Sequence, residues 1–180
     1  MKAFLLAAGY GTRLKPITDA IPKCMVPIHG QPLLGWWFAL LRKHGVTDVL
    51  VNTHYLPESV RELIRIYNAK GTGLTAHETY EPELLGSGGT IRANRAFVRD
   101  EKDFLICYAD NLTDDNLTAF QRFHEERRDV LTMALFHADV PRQCGIAELD
   151  GEGEYHCRKP DIGLTCRPRG ILRLINQAPG

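Results

Sequence analysis

No stretch of this chain is apolar for long enough to cross a membrane; its longest hydrophobic runs are broken by Arg, Lys or His. Nor is there an excess of charge of either sign. The 22 Lys and Arg residues face 22 Asp and Glu, so no global field draws the chain to nucleic acid, and any affinity for an anion has to be local. Cysteine is scarce and unpatterned. Five of them, Cys24, Cys107, Cys144, Cys157 and Cys166, form an odd set without CxxC spacing, which argues against a disulfide framework. Cys144, His156, Cys157 and Cys166 fit no standard zinc spacing. There is no internal repeat, and no low-complexity run or linker before residue 150. The opening run Ala3 to Ala8 is too short for a signal-peptide core and leads straight into charged residues. A cytoplasmic protein in a reducing compartment is expected.

What is present is concentrated at the start. At 180 residues, 44% hydrophobic and 24% charged, the chain suits one domain with a real core. Ala3 to Ala8 has the length and composition of a buried strand. It breaks at Gly9-Tyr10-Gly11 and is followed by Thr12, Arg13, Lys15 and Lys23. Glycines let a backbone approach a phosphate closely, and turn N–H groups can meet its oxygens. Arg13 and Lys23 would neutralise the charge, one as a planar fork and one as a point charge. The stretch has no third glycine for the dinucleotide fingerprint and no Gly-Lys-Ser/Thr for a P-loop. On its own, a glycine pair after a strand also reads as a plain turn.

Strands and helices then alternate. A helix is expected over Gly35 to His44, closed by Gly45; a strand over Val49 to Asn52; a helix from Pro57 to Tyr67. Further strands are expected at Leu74 to Glu78, Phe104 to Ala109 and Val130 to Phe136, with helices over Thr90 to Phe97 and Leu117 to Glu126. This order predicts an α/β fold, a mostly parallel sheet with helices on both faces and the ligand beyond the carboxyl ends of the strands. The glycine turn, Asn52-Thr53-His54 and Asp110-Asn111 each follow a strand, so they share one rim. Trp36 and Trp37 cannot both face the core, so one belongs at the surface or at an interface, which leaves room for a homo-oligomer. Asp114 and Asp115 read as turn and N-cap residues.

Two further segments are open to two readings each. Gly86-Ser87-Gly88-Gly89 is either a flexible loop before a helix or a surface on which backbone lies flat against a base. Asp110, at the end of an apolar strand, is either a turn residue or a metal ligand. Mg²⁺ takes one or two carboxylates together with substrate phosphates.

Taken together, Leu6-Ala7-Ala8-Gly9-Tyr10-Gly11-Thr12-Arg13-Leu14-Lys15-Pro16, Thr18 and Pro22-Lys23 through Pro27 strongly resemble the sugar-1-phosphate nucleotidyltransferases, or NDP-sugar pyrophosphorylases, over roughly the first 150 residues. The resemblance implies a Rossmann-like fold of the nucleotide-diphospho-sugar transferase type. It implies a nucleotide site from Leu6, Ala8, Gly9, Gly11, Thr12, Arg13, Lys23, Gly86, Gly88 and Gly89, with the last three against the base. Asp110, in the place of the family's Gly-Asp motif with Ala109 for its glycine, would hold Mg²⁺; Asn111 and Gly145 would face the sugar substrate. Arg13, Lys23 and Asp110 would carry catalysis. The partners implied are an NTP, with GTP or UTP favoured, and a sugar 1-phosphate of mannose, heptose or amino-sugar type.

The resemblance fades after Asp150, which sets an expected division into a core, residues 1–150, and a tail, 151–180. Arg158-Lys159-Pro160 stands where the family has Glu-Lys-Pro, so its sugar-contacting Glu is missing and the sugar-binding half reads as incomplete. Either Asp161-Ile162-Gly163 is a displaced form of the family's late metal motif, or Glu154 onward is a frameshifted or truncated tail with no native role. The abrupt change in composition favours the second. Two functions follow: an active nucleotidyltransferase, or a nucleotide-binding remnant without turnover.

Overall fold

The computed structural model describes residues 1–127, 130–135, 148–149, 155–156 and 172–176, the last three groups by their backbone. Among the described residues, ten strands and four α-helices follow in the order β1 (Lys2–Leu6), β2 (Pro27–Ile28), β3 (Gln31–Pro32), α1 (Leu33–Lys43), β4 (Asp48–Thr53), α2 (Pro57–Ala69), β5 (Thr75–Tyr80), α3 (Gly86–Ala93), β6 (Asp103–Tyr108), α4 (Leu117–Arg127), β7 (Leu131–Met133), β8 (Glu148–Leu149), β9 (Tyr155–His156) and β10 (Leu172–Asn176). Six of the strands make one sheet in the order β5-β4-β1-β6-β10-β7. β1 pairs in parallel with β4 on one side and β6 on the other, and β4 pairs in parallel with β5. β2–β3 and β8–β9 are small antiparallel hairpins apart from it.

The side-chain period of a strand explains how both faces are filled. Ala3 and Leu5 of β1 point to one face and join Val49, Val51, Leu105 and Cys107 under Leu34, Trp37, Phe38 and Leu41 of α1. Val60 and Ile64 of α2 and Leu117 of α4 complete that layer. Phe4, between them in sequence, points the other way with Leu50, Phe104 and Ile106, covered by Val98, Phe97 and Ile91. A strand buried on both sides has to be apolar along its buried run, as β1 is from Ala3 to Leu5 and β6 from Phe104 to Cys107, each opening on one charged residue, Lys2 or Asp103. The helices thus cover both faces, as the alternation of elements predicts.

Helix ends follow local rules. α1 stops in a Schellman turn: the Val46 N–H donates to the Leu41 carbonyl and the Gly45 N–H to that of Arg42, with Gly45 at φ +77°. α4 begins not on Asp115 but on Asn116, whose Oδ1 accepts the Ala119 N–H at 3.0 Å. Asp115 instead accepts a bond from the Thr113 hydroxyl. The two tryptophans divide as expected: Trp37 is buried and Trp36 exposed.

One element departs from expectation. Leu172–Asn176, within the tail expected to have no native role, lies antiparallel between β6 and β7 in the main sheet. Main-chain pairing places it there, and pairing demands little of local sequence pattern.

His44, at the end of α1, links that helix to α4 in the same layer. Its Nδ1 accepts the Thr118 N–H of α4 and lies 2.8 Å from the Thr118 hydroxyl. Burial first, then the neighbouring Lys43, holds its pKa below the ordinary 6.5. The folded ring therefore binds a proton less readily than the unfolded one, so this stability is present above the ordinary value and is lost as the pH falls below it. Between about pH 7.5 and about pH 5.5 the melting temperature is expected to fall less in His44→Asn than in the parent chain.

Candidate functional site

Three parallel strands end side by side, and the residues just past their ends make the site. β1 gives way at Leu6, whose carbonyl accepts the Ala109 N–H at 2.9 Å, and the next residue, Ala7, donates its N–H to Asn52 Oδ1 at 2.7 Å. Ala8 is buried, while Gly9 and Tyr10 are exposed. Gly11 then turns the chain at φ +66°. A Cβ there would stand 2.9 Å from Thr18 Cγ2 and 3.1 Å from Lys23 Cβ, so both conformation and space call for glycine. The Gly11 carbonyl is held by the Leu14 N–H at 2.8 Å and the Thr18 hydroxyl at 2.9 Å.

The turn continues as a single 3-10 turn, Thr12–Leu14. Thr12 and Arg13 are exposed, and Arg13 pairs with no other described residue. Lys15 instead reaches Asp19, at 2.9 Å. Lys23 opens another 3-10 turn and sends its Nζ to Asp110 Oδ2, 2.7 Å away. The lysine side chain is mostly covered, whereas Asp110 is 43% exposed. Neighbouring Cys24 is no nucleophile: burial pushes its thiol up to about 12.

Behind Asp110, Ala109 is fully buried, so its methyl group is taken up by the core and the aspartate still emerges on the rim. The following residue, Asn111, is half-buried, and its carbonyl accepts the Trp37 indole N–H at 2.8 Å. Helix α1 thereby fixes the loop that carries Asp110. The Tyr108 hydroxyl donates to Ser87 Oγ at 3.2 Å, joining β6 to the glycine segment.

The glycine segment corrects one expectation. It is not a loop before a helix at Thr90; its residues form the first turn of α3, and a 3-10 turn, Arg95–Val98, follows. Gly86 has φ +70°, and a Cβ on Gly89 would lie 2.9 Å from Leu85 Cβ. Gly88 has open space around it. The helix starts early because its first turn is anchored from below: the Leu85 N–H donates to Glu81 Oε2 at 3.1 Å and the Thr90 hydroxyl to Glu81 Oε1 at 2.5 Å.

Glu81 is the residue that sequence reasoning missed. It sits just past β5, is 2% exposed, and also accepts Asn52 Nδ2 at 3.0 Å. Its backbone carbonyl accepts from His54 Nδ1 at 2.7 Å; in the neutral ring Nε2 is then an acceptor for the Tyr10 hydroxyl, also at 2.7 Å. Asn52 and His54, placed on the rim by the sequence, are thus scaffold for the turn and for α3. The one available signal was an acidic residue directly after a strand and five residues before a glycine segment.

Gly145 and Asp161 lie outside the described residues, as do Cys144, Cys157, Cys166 and the side chain of His156. Among the described residues no group of three or more His, Cys, Asp or Glu gathers as a metal cage, and no helix is long and apolar enough to cross a membrane.

A mostly parallel sheet carrying a glycine turn, two basic side chains and one exposed carboxylate on its carboxyl rim defines a class of α/β proteins built to hold phosphates. Residues 2–158 match the family model for nucleotidyl transferases, and the chain belongs to that family. It is 33% identical over 168 residues to a UTP–glucose-1-phosphate uridylyltransferase from Synechocystis sp., covering 86% of this chain and 42% of that protein. It is 29% identical over 147 residues to a mannose-1-phosphate guanyltransferase from Debaryomyces hansenii, covering 81% and 40%. The chain thus spans about two fifths of the length of these curated relatives. In fold it is similar to HddC from Yersinia pseudotuberculosis, solved with GMP-PN, at a TM-score of 0.73 and 22% identity over 97% of this chain and 76% of that one.

Proposed function

We propose that this chain handles the nucleotide in a sugar-1-phosphate nucleotidyltransferase, converting an NTP and a sugar 1-phosphate to an NDP-sugar and pyrophosphate. The observation that carries the reading is the meeting, on one rim, of the Gly11 turn, Arg13, which pairs with no other described residue, and the Lys23–Asp110 pair. GTP and UTP are favoured because the two relatives above are named as a guanyltransferase and a uridylyltransferase. A cytoplasmic location belongs to the same reading, supported by Cys24 and Cys107, both buried and free.

The chemistry asks for placement and charge neutralisation more than for side-chain proton transfer. An oxygen of the sugar phosphate, already ionised near neutral pH, attacks the α-phosphorus in line. A new P–O bond forms there, the bond to the oxygen bridging the α- and β-phosphates breaks, and pyrophosphate leaves with the electron pair. Arg13, Lys23 and the turn from Gly9 to Thr12 hold the β- and γ-phosphates and meet the charge that develops on the leaving group. Leu6 and Ala8 bring the end of β1 beneath the nucleotide, and Gly86, Gly88 and Gly89 lie against the base. Asn111, with Gly145, faces the sugar.

Asp110 suits Mg²⁺. A lone, exposed carboxylate beside a phosphate site matches a cation that takes most of its ligands from phosphate and water. Asp161 is the second ligand suggested by sequence. When bound, Mg²⁺ supplies charge neutralisation at the phosphate oxygens.

Pyrophosphate release is to be measured with GTP and UTP against mannose 1-phosphate and glucose 1-phosphate. Release with at least one pair is expected. Nucleotide-dependent thermal stabilisation without release would assign the binding-only reading, and neither effect would overturn both.

A further inference from the structure

A buried hydrogen-bond network runs beneath the site and touches both of its nucleotide-facing parts. Its members are Asn52, Glu81 and Thr90, which are 5%, 2% and 1% exposed. Asn52 Oδ1 holds the Ala7 N–H at 2.7 Å, at the root of the glycine turn. Asn52 Nδ2 donates to Glu81 Oε1 at 3.0 Å and lies 3.2 Å from Thr90 Oγ1. Glu81 in turn holds the Leu85 N–H and the Thr90 hydroxyl of α3. Through its carbonyl it also holds His54, and so Tyr10 in the turn itself. Glu81 thus makes most of the described links between the turn and the base of α3, through its side chain and its own backbone, beside the one direct contact of Asn52 with Thr90.

We infer that Glu81 is a positioning residue that sets the spacing between the phosphate-binding turn and the start of α3. The inference rests on the nucleotide reading above and adds to it how affinity for the whole nucleotide arises. An NTP is two fragments joined covalently, a nucleoside and a triphosphate. Its affinity exceeds that of either fragment only if the two subsites lie at the separation that the linkage spans. A network that fixes this separation contributes little to either fragment alone and much to the joined ligand.

The polarity of the network supplies a specific test. Asn52 Oδ1 is committed to the Ala7 N–H, so Asn52 Nδ2 has to face an acceptor. Glu81→Gln keeps the shape but sets an N–H₂ group against a donor, either Asn52 Nδ2 or the Leu85 N–H. Asn52→Asp combined with Glu81→Gln reverses the polarity and restores it: the new carboxylate accepts from both Ala7 and the amide at 81, whose oxygen still takes the Leu85 N–H.

Affinities for GTP, UTP, tripolyphosphate and the two nucleosides are measured on the whole chain, with the melting temperature alongside. Glu81→Gln is expected to weaken the preferred NTP about tenfold while tripolyphosphate and nucleoside stay within about twofold. The double variant is expected to regain the NTP affinity to within about threefold. Thr90→Val, which removes only the hydroxyl, is expected to act in the same direction by about threefold, and serves where Glu81→Gln does not fold. If fragments and whole nucleotide weaken in parallel, or the double variant folds without regaining affinity, the inference is overturned and the nucleotide reading stands. If the unsubstituted chain binds NTP no more tightly than tripolyphosphate, the nucleotide reading fails and the inference with it.

Discussion

Lys23→Ala is expected to lower turnover by about 10²–10³-fold while leaving the melting temperature almost unchanged, as removal of one preorganised charge from a developing anion does elsewhere. Both halves of this expectation come from the geometry. Lys23 is largely covered but ends at Asp110, which is 43% exposed. An ion pair with one partner so well solvated contributes at most about 1 kcal/mol to folding. The same lysine stands between the glycine turn and the carboxylate, where it can exchange Asp110 for a phosphate oxygen when nucleotide arrives. Lys23→Arg should recover little, because a planar fork cannot replace the compact ammonium that lies 2.7 Å from Asp110 Oδ2. The measurements are steady-state pyrophosphate release and thermal melting on the same samples. A large drop in the melting temperature of Lys23→Ala, or turnover within a few-fold of the parent, would contradict the assigned role.

Trp37→Ala is expected to have the largest effect on stability, about 3–5 kcal/mol. The indole is 2% exposed and packs with Leu34, Phe38 and Leu41 against β1 and β6. A loss of that size is a large part of the roughly 5–15 kcal/mol available to a domain, so a shifted urea midpoint is the readout. Trp37→Phe separates packing from hydrogen bonding. It refills most of the space but leaves the Asn111 carbonyl without its donor. Trp37→Phe should therefore fold, with a moderate loss of stability, and raise the KM for substrates near the Asp110 loop more than Trp36→Phe does. Equal behaviour of the two phenylalanine variants would sink the idea that α1 positions that loop.

Much of this arrangement was legible in the sequence because it depends on local pattern. The apolar runs of β1 and β6 fix a sheet buried on both faces, and alternation with helices fixes parallel pairing, which puts Gly11, Asn52 and Asp110 on one rim. The division of labour between Trp36 and Trp37 follows from helical period. What was not legible depends on neighbours far along the chain. Glu81 lies in Tyr80-Glu81-Pro82-Glu83, which reads as a solvated loop; only the side-by-side ends of β4 and β5 and the return of α3 bury it. The glycine segment reads as a loop because glycine is a poor helix former, yet anchors from Glu81 outweigh that propensity. Asn116 outcompetes Asp115 as a cap by a one-residue difference in where the chain turns, a difference that pattern does not encode. β10 is placed by main-chain pairing with strands more than sixty residues earlier in one case and about forty in the other, a relation no sequence window contains.

The central place of β1 in the sheet has a consequence for how the protein comes into being. Lys2–Leu6 leaves the ribosome before either of its partners, Asp48–Asn52 on one side and Leu105–Tyr108 on the other. This apolar strand cannot be closed on both edges until Leu105–Tyr108 has been made. During that interval it is an uncovered, β-prone segment of the kind that chaperones shield and that nucleates aggregation. The phosphate turn hangs from the end of this strand, where the Ala109 N–H holds the Leu6 carbonyl, so β6 has to be made before that anchor can form.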